Sequence, residues 1–419
     1  MTAAAAPAGA TEGYRAITGS GSTWSANMVE QWTSDVRQFG ISVGFSAVGS
    51  SAGRNEFRNG TVDFAVSEIP YGLSDAQGTV DTLPERGFAY LPIVAGGTSF
   101  MYNLKVAGQQ VTNLRLSGDT VARIFTGAIT KWDDAAILED NPNLALPNRD
   151  IVPVVRSDGS GTTAQFTQWM SKQHPAVWNS FCQQQGIGSG GGCGFTSFFP
   201  AANGFISQAG SLGVSGYVSQ PTAEGAITYV EYSYAKRNRF PVVMVQNASG
   251  YYIEPTDEAV AVSLLKAEIE TTPGDTYLTQ KLDGVYTDTD PRSYPLSSYS
   301  YMIIPTAEAG TFRSDKGRAL GDFLYYSICE GQQNASTLGY SPLPQNLVLA
   351  GFEQIRLIPG VVPENVNLAS CRNPTFSSDG TNTLANTAPQ PRACAREGTF
   401  QCAEGTGGAA DIATAVTRG

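Results

Sequence analysis

A short polar segment, residues 156–162, has the residue types and spacing that bind an anion. It reads Arg-Ser-Asp-Gly-Ser-Gly-Thr, and it follows a β-branched apolar run and precedes a helix-like segment, 163–171. A strand, a tight glycine turn and a helix together expose the first amides of the helix, which lie at the positive end of the helix dipole. Ser160 and Thr162 add hydroxyl donors, and Arg156 adds a planar five-donor guanidinium. These features predict binding of a small oxyanion.

The same segment has a simpler interpretation as an ordinary helix start. Asp158 or Ser160 is a suitable N-cap residue after a buried strand. Short Gly/Ser motifs are weak signals on their own. In the oxyanion interpretation, Asp158 is instead close enough in sequence to hold the Arg156 guanidinium in place. The segment alone does not distinguish the two interpretations.

Two further predicted junctions between a strand and a helix carry glycine and hydroxyl residues, at 19–23 and 49–53. Thr23 and Ser50 stand at the helix starts of these junctions, and a third predicted strand ends at Glu68. In open α/β sheets, ligands bind at the carboxyl ends of strands, where helix N-termini converge. We therefore interpret the three junctions as parts of one site rather than as three separate helix caps.

The elements that must position these junctions alternate as in an α/β fold. Two apolar runs, 91–104 and 297–304, are predicted to cross from one lobe to the other and back. Residues 127–132 are predicted to form a surface turn. The remaining elements are strands near 14–18, 41–48, 61–66, 151–155, 227–230 and 242–245, and helices near 24–39, 52–59, 120–125, 163–171, 256–265 and 316–329.

Composition indicates a soluble, exported globular protein. The chain has 419 residues, of which 41% are hydrophobic and 15% are charged. It has no run of 18 apolar residues that could span a membrane. The formal net charge of −11 argues against a nucleic-acid partner. It does not argue against a small anion, because salt screens long-range fields within about 8–10 Å. Residues 1–10 lack basic residues and a long apolar core, so they are not a signal peptide as they stand.

Six cysteines and a single histidine, His174, give little support to a zinc site, because no cysteine pair has CxxC spacing. Six cysteines allow 15 pairings, which sequence alone does not resolve. The alternative is six free thiols in a cytosolic protein. Proximity favours two bridges and elimination leaves a third: Cys182–Cys193, Cys394–Cys402 and Cys329–Cys371.

Several motifs occur in the same order as in a known protein family, and the resemblance covers roughly residues 14–357. The chain resembles the phosphate-binding proteins of bacterial phosphate ABC importers. Four ordered motifs make the resemblance specific, and three shorter ones support it. They are Gly-Ser-Gly-Ser-Thr-Trp at 19–24, Gly-Ser-Ser-Ala-Gly at 49–53, the segment 60–68 that ends in Ser-Glu, and 156–162, with 127–132, 224–230 and 340–344 in support.

The resemblance implies a two-lobed α/β fold of the type II periplasmic-binding-protein class, in which each lobe is a mixed sheet flanked by helices. One lobe is expected to comprise residues 12–95 and 297–365, and the other residues 96–296. Residues 366–419 are expected to form a Cys-rich extension tied by disulfides.

The resemblance also implies a function, which is high-affinity, non-enzymatic binding of inorganic phosphate and its delivery to the membrane permease of an ABC importer. No cofactor, metal or catalytic residue is implied. The protein is expected to be a monomer outside the cytoplasm, in the periplasm or at the cell surface, with any membrane anchor in a segment outside this sequence. The implied ligand groups are Thr23, Trp24 through its backbone N–H, Ser50, Glu68, Arg156, Ser160, Gly161 and Thr162, with Asp158 holding Arg156.

Two positions depart from the family pattern. Trp24 replaces the usual Phe, which a backbone donor tolerates. Glu68 replaces the usual Asp, and this carboxylate determines specificity, because protonated phosphate can donate a hydrogen bond to it and sulfate cannot. The extra methylene requires a shift of about 1 Å or a different rotamer. The alternative is that Glu68 turns aside into a salt bridge.

Two other functions stay open at this point. A phosphoester hydrolase built on the same anion site has little support, because Ser160 has no candidate base nearby in sequence. A module that binds another oxyanion, or that serves in a surface assembly, is supported only by the Glu68 replacement and the Cys-rich tail.

Overall fold

The structure is a computed structural model and describes residues 13–414 apart from Gln77, Thr79 and residues 189–191. The segment 1–10, predicted not to be a signal peptide, lies outside the described residues. The strands within them are β1 (Ile17–Gly21), β2 (Val43–Ser46), β3 (Phe64–Ser67), β4 (Phe88–Tyr102), β5 (Lys105–Val106), β6 (Gln109–Gln110), β7 (Arg115–Leu116), β8 (Val152–Arg156), β9 (Ile206–Gln208), β10 (Ala226–Glu231), β11 (Met244–Gln246), β12 (Tyr252–Ile253), β13 (Glu268–Ile269), β14 (Gln280–Lys281) and β15 (Ser297–Pro305).

Helices flank these strands, and short 3₁₀ turns extend several of them. None of the helices in the described part of the chain is long and apolar enough to cross a membrane. The helices are α1 (Ala26–Asp35), α2 (Ser50–Arg58), α3 (Gly118–Phe125), α4 (Ala135–Asp140), α5 (Gly161–Gln173), α6 (Pro175–Gln184), α7 (Gly210–Val218), α8 (Tyr232–Asn238), α9 (Asp257–Ser263), α10 (Asp283–Tyr286), α11 (Gly317–Ile328), α12 (Ala335–Leu338), α13 (Gln345–Ile355), α14 (Leu368–Cys371) and α15 (Thr383–Thr387).

Eight strands form one continuous sheet in the order β2-β1-β3-β15-β4-β10-β8-β9. The 15-residue strand β4 joins its two halves. From Phe88 to Gly97 it pairs antiparallel with β15, and from Thr98 to Tyr102 it pairs antiparallel with β10. The strands β1, β2 and β3 are parallel in one half, as are β10, β8 and β9 in the other.

This pairing confirms a two-lobed α/β fold of type II. The runs predicted to cross between the halves are β4 and β15. The lobe boundaries given above stay a prediction, although β4 changes partner at Gly97–Thr98, next to the expected boundary.

Each half of the sheet is covered by apolar helix faces. In the first half, Phe64 of β3 packs against Phe323 of α11 with ring centroids 6.0 Å apart. In the second half, Phe166 of α5 lies 5.0 Å from Tyr229 of β10 and 5.1 Å from Phe125 of α3. These interdigitated aromatic rings fix the angle at which α5, and therefore its N-terminus, leaves the sheet.

One local prediction is wrong, and a second is confirmed only in part. The sequence predicts a strand at 14–18 followed by a turn at 19–23, but the strand β1 continues to Gly21. Glycine is required there because a Cβ on Gly19 would lie 2.1 Å from the Phe64 ring and one on Gly21 would lie 2.1 Å from Val66 O. The segment 127–132 does turn at the surface, where residues 127, 128 and 130 are exposed, but Trp132 at its end is fully buried and donates from Nε1 to Gly225 O at 3.0 Å.

All three predicted disulfides are present: Cys182–Cys193, Cys329–Cys371 and Cys394–Cys402. The second one closes the longest loop and attaches the C-terminal extension to the end of α11. The extension then runs onto the other half of the molecule, where Thr406 Oγ1 accepts from Val242 N at 3.0 Å and Thr414 Oγ1 accepts from Thr112 N at 2.8 Å.

Candidate functional site

The N-termini of α2 and α5 face each other where the two halves of the molecule meet. Ser50 is the first residue of α2, and Gly161 is the first residue of α5. Gly161 N–H donates to Ser50 Oγ at 3.2 Å, and Ser51 N–H donates to Gly159 O at 3.0 Å. Two positive helix ends therefore converge on one enclosed polar region, an arrangement suited to an anion.

The Glu68 carboxylate lies between these helix ends and is 1% exposed. Its Oε1 accepts from Ser22 Oγ at 2.5 Å and from Ser300 Oγ at 2.9 Å. Its Oε2 accepts from Ser50 Oγ at 2.8 Å. Burial raises the pKa of Glu68, while the three hydroxyls and the charge of Arg156 oppose that rise.

Arg156, at the end of β8, is 2% exposed and forms a bidentate pair with Asp158. Its Nε donates to Asp158 Oδ1 at 2.7 Å, and its Nη2 donates to Oδ2. Gly210 N–H, at the start of α7, also donates to Asp158 Oδ1 at 2.9 Å. Burial works to raise the pKa of Asp158, but the hydrogen bonds and charge of Arg156 outweigh it, and the pKa is lowered.

Thr23 connects the first half of the molecule to the same region. Its Oγ1 lies 2.8 Å from Ser211 Oγ and accepts from Ser211 N–H at 3.1 Å. Arg156 Nη1 donates weakly to Ser211 Oγ at 3.5 Å. Trp24 is buried, and its backbone N–H donates to Ser22 Oγ at 3.0 Å. Backbone and hydroxyl donors of the first junction therefore point into the region that holds Glu68 and Arg156.

The first turn of α5 supplies the remaining donors. Ser160 is the N-cap residue, and its Oγ accepts from Thr163 N–H at 3.1 Å, so the helix-cap interpretation of this serine is confirmed. Thr162 Oγ1 is buried and has no hydrogen-bond partner within the described part of the chain. A buried, unpaired hydroxyl is costly, and this one lies in the first turn of α5, next to the Gly161 N–H.

Comparison with known proteins identifies the family. A sequence model of the PBP superfamily domain matches residues 3–330. The phosphate-binding protein PstS of Xylella fastidiosa is 32% identical over 335 residues, which are 79% of this chain and 82% of that protein. The PstS of Pasteurella multocida is 30% identical over 335 residues, 79% of this chain and 87% of that protein. The chain belongs to the phosphate-binding protein family of phosphate ABC importers.

A solved structure supports the same fold for this phosphate-binding protein family member. It is a subatomic-resolution structure of a high-affinity periplasmic phosphate-binding protein, PfluDING, bound with phosphate. Its TM-score is 0.61 at 18% identity, and the match covers 84% of this chain and all of that chain. At this identity the likeness concerns the fold alone.

The structure places the predicted site residues of this family member in one region. Glu68, Ser50 and Gly161 are joined directly, and Ser160 and Thr162 flank Gly161 in the first turn of α5. Arg156 is linked to Thr23 through Ser211, and its charge acts on Glu68. The predicted contact between Asp158 and Arg156 is present. Glu68 does not turn aside into a salt bridge, because its oxygens accept from three serine hydroxyls.

Sequence reasoning missed three serines at the site. Ser22 lies within the Gly-Ser-Gly-Ser-Thr motif, so that motif carried a signal for it. Ser211 follows Gly210 at the start of α7, where another glycine–serine pair precedes a helix. Ser300 lies in the middle of a buried strand, and nothing local in the sequence marks it.

The described part of this family member was predicted to offer little support for a metal site. No group of three or more His, Cys, Asp and Glu side chains is placed there to hold a metal ion. His174, the single histidine, packs its ring 4.7 Å from Trp169 at the end of α5. What the site offers is an array of fixed donors, one guanidinium and one buried carboxylate acceptor.

Proposed function

We propose that this chain binds inorganic phosphate between its two lobes, outside the cytoplasm, and passes it to the permease of an ABC importer. The observation that carries the proposal is the position of Glu68. A carboxylate that is 1% exposed lies against Gly161, the first residue of α5, and the positive charge of Arg156 acts on it. An anion site that also contains a fixed carboxylate favours an anion that carries a proton.

Phosphate at neutral pH is such an anion, and sulfate is not. The proton on phosphate can be donated to Glu68 while its other oxygens accept from Arg156 and from the first turn of α5. Sulfate would place an oxygen without a proton against the ionised carboxylate. A site built to receive a donor rejects an analogue that lacks it by up to about 10⁴–10⁵-fold.

The proposed ligand groups are those of the family motifs. Several of them bond one another in the structure, such as Trp24 N–H with Ser22 and Gly161 N–H with Ser50, and these donors would turn to the ligand. The unpaired Thr162 Oγ1 supports direct contact. The proposed contacts are Thr23, Trp24 through its backbone N–H, Ser50, Glu68, Arg156, Ser160, Gly161 and Thr162, with Asp158 holding Arg156.

The strength of binding follows from the number of charge-assisted hydrogen bonds. Each such bond contributes about 1.5–3 kcal/mol. Four of them would contribute about 6–12 kcal/mol, a range that includes the roughly 8 kcal/mol that corresponds to a micromolar dissociation constant. The two halves are connected through the crossing strands β4 and β15, and the C-terminal extension makes a third connection on the outside. We propose that the lobes open and close about the two strands to admit the anion.

Delivery to a permease requires no chemistry at the site, and we propose a monomer that acts as a carrier rather than an enzyme. Membership in a family of substrate-binding proteins supports this role. A chromogenic phosphoester assay is expected to give no turnover above the uncatalysed rate.

Isothermal titration calorimetry of the intact chain tests the binding proposal. Phosphate is expected to bind one per chain with micromolar or tighter affinity, and sulfate at a hundredfold higher concentration is expected not to compete. Tight sulfate binding without a heat of phosphate binding would overturn the proposal. Glu68→Gln is expected to weaken phosphate binding and to admit sulfate, and unchanged selectivity would remove Glu68 from the site.

A further inference from the structure

We infer that Ser300 and Ser22 are positioning residues that determine specificity, since they hold Glu68 Oε1 and thereby leave Oε2 as the oxygen that accepts the ligand proton. This inference rests on the proposed function. It assigns roles to two serines that are not among the proposed ligand groups. It also identifies the carboxylate oxygen that accepts the hydrogen bond from the ligand.

Two hydroxyl donors occupy Oε1. Ser22 Oγ lies 2.5 Å and Ser300 Oγ 2.9 Å from this atom. Ser300 Oγ also lies 3.1 Å from Ser25 Oγ. A hydroxyl has one hydrogen and can accept as well. Ser300 is in donor geometry toward both oxygens, and its single hydrogen goes to Glu68, because an ionised carboxylate is a stronger acceptor than the hydroxyl of Ser25.

The other carboxylate oxygen is on the ligand side. Oε2 accepts one hydrogen bond, from Ser50 at 2.8 Å, and it faces the backbone of Gly161, the first residue of α5. Ser50 is itself a proposed ligand contact, so its hydroxyl can turn to the bound anion and leave Oε2 available. The two oxygens of Glu68 thus have different surroundings, one fixed by the protein and one open to exchange.

The placement of Ser300 is built into the sheet. Strand β15 pairs antiparallel with β3, with Tyr301 opposite Ser67, so Ser300 lies beside the residue that follows β3. The register between β15 and β4 shifts between Ser300 and Tyr301. A bulge of this kind redirects a side chain and is frequent beside functional sites. Ser300 is fully buried, and its contact with Glu68 joins residues 232 apart in sequence.

The charged and titratable groups around Glu68 set the direction of the pH effect. Arg156 at the end of β8 favours the ionised carboxylate, and Glu68 acts on Tyr301 of β15. Hydroxyl donors also favour the ionised form. Removing Ser300 therefore enlarges the protonated fraction of Glu68 at a given pH. A protonated carboxyl can donate to sulfate, so rejection of sulfate fails at a higher pH than in the unmodified protein.

The test is Ser300→Ala with Ser298→Ala as the matched control. Ser298 lies two residues earlier on β15, is 2% exposed, and its hydroxyl has no hydrogen-bond partner in the described part of the chain. Phosphate affinity and sulfate competition are measured by calorimetry from pH 5 to 8. For Ser300→Ala, the pH at which sulfate begins to compete is expected to rise by about one unit, and phosphate affinity to fall about tenfold. Ser298→Ala is expected to change neither.

Each outcome separates this inference from the proposed function. If the unmodified protein binds no phosphate, the proposed function fails. If it binds phosphate and rejects sulfate, but Ser300→Ala does the same at every pH, the inference fails and the proposed function stands. Ser22→Ala is the second variant should Ser300→Ala fold poorly, and Ser300→Thr, which keeps the hydroxyl, is expected to restore the original pH profile. If Ser298→Ala raised the pH at which sulfate begins to compete by the same amount, the inference would also be overturned.

Discussion

Glu68 and Gly161 face each other so closely across the two halves of the molecule that a Cβ built on Gly161 would lie 2.0 Å from Glu68 Oε2. The same Cβ would lie 2.6 Å from Ser50 Oγ. Glycine at the first position of α5 therefore makes room for the carboxylate. Because glutamate is one methylene longer than the aspartate usual in the family, the residue at 68 and the space at 161 are coupled.

Gly161→Ala is expected to weaken phosphate binding at least tenfold, because the new methyl group displaces the Glu68 carboxylate. Glu68→Asp in the same chain withdraws the carboxylate and is expected to recover part of that loss. A double-mutant cycle measured by calorimetry gives the coupling between the two positions. Gly216→Ala in α7 is the control, since a Cβ there meets nothing within 4 Å. If the effects of Gly161→Ala and Glu68→Asp on the free energy of phosphate binding were strictly additive, the contact between the two residues would be contradicted.

Arg156→Lys is expected to lower phosphate affinity at least a hundredfold, which is about 2.7 kcal/mol. Lysine keeps the charge but cannot form the planar pair in which Nε and Nη2 of Arg156 bind Asp158. Calorimetry at one pH measures the loss. Arg149→Lys is the control, because Arg149 forms a partly exposed ion pair with Glu224. Wild-type affinity in Arg156→Lys would show that the guanidinium geometry is not needed.

Stability is expected to depend on pH through Glu231, the fully buried N-cap residue of α8. Burial raises the pKa of Glu231 well above its ordinary value, although its Oε2 accepts from Ser233 N–H at 2.7 Å. A carboxyl with a raised folded-state pKa holds a proton that the unfolded chain has lost. The contribution of Glu231 to the free energy of unfolding is therefore fully present below the pKa that this carboxyl has in the unfolded chain. It declines as the pH rises from that value to the pKa in the folded protein.

Glu231→Gln cannot ionise and keeps an oxygen for Ser233 N–H. The melting temperature of the variant minus that of the unmodified protein is thus expected to increase from pH 4 to pH 7. Thermal melts followed by circular dichroism measure this difference. Glu353→Gln, at an exposed position on α13, is the control. Melting curves for Glu231→Gln that run parallel to the unmodified protein at every pH would refute the assignment.

The C-terminal extension depends on Arg115, which is 1% exposed. Its Nη1 donates to Cys394 O at 3.2 Å and its Nη2 to Thr399 O at 2.9 Å. Its Nε donates to Asp140 O at 2.9 Å, and its guanidinium lies 4.5 Å from the centre of the Tyr252 ring. This single side chain therefore attaches two carbonyls of the extension to β7.

Arg115→Met is expected to reduce the free energy of unfolding by at least about 3 kcal/mol, because several buried carbonyls lose a charged donor. Urea unfolding measures this loss, and limited proteolysis is expected to release the extension first. Phosphate affinity is expected to stay within twofold, since the contacts lie away from the site. Arg123→Met, at a partly exposed position on α3, is the control. An extension equally resistant to protease in both variants would contradict this role.

Local chemistry in the sequence predicted much of this molecule. Glycine and hydroxyl residues at strand-to-helix junctions located Thr23, Ser50 and Ser160. Short separations, of 11 and 8 residues, predicted two of the disulfides. These features can be predicted from the sequence because helix capping and the closure of short loops depend on residues that are close together in the chain.

Long-range pairing determined what the sequence did not reveal. Ser300 reaches Glu68 only because β15 returns to lie beside β3. Trp132 ends a segment that is predicted and observed to turn at the surface, yet its ring fills the interior and its Nε1 donates to Gly225 O. The extension of β1 to Gly21 was missed because glycine has low strand propensity, whereas close approach to Val66 requires it.

A crystal structure of the intact chain grown with phosphate tests the central claim most directly. Tetrahedral density is expected between the lobes, with its oxygens about 2.6–3.2 Å from the Arg156 guanidinium, the first-turn donors of α5 and Glu68 Oε2. Ser22 and Ser300 would still contact Glu68 Oε1. Density for the anion at another place, or a Glu68 carboxylate turned away from a phosphate bound at Arg156, would contradict it.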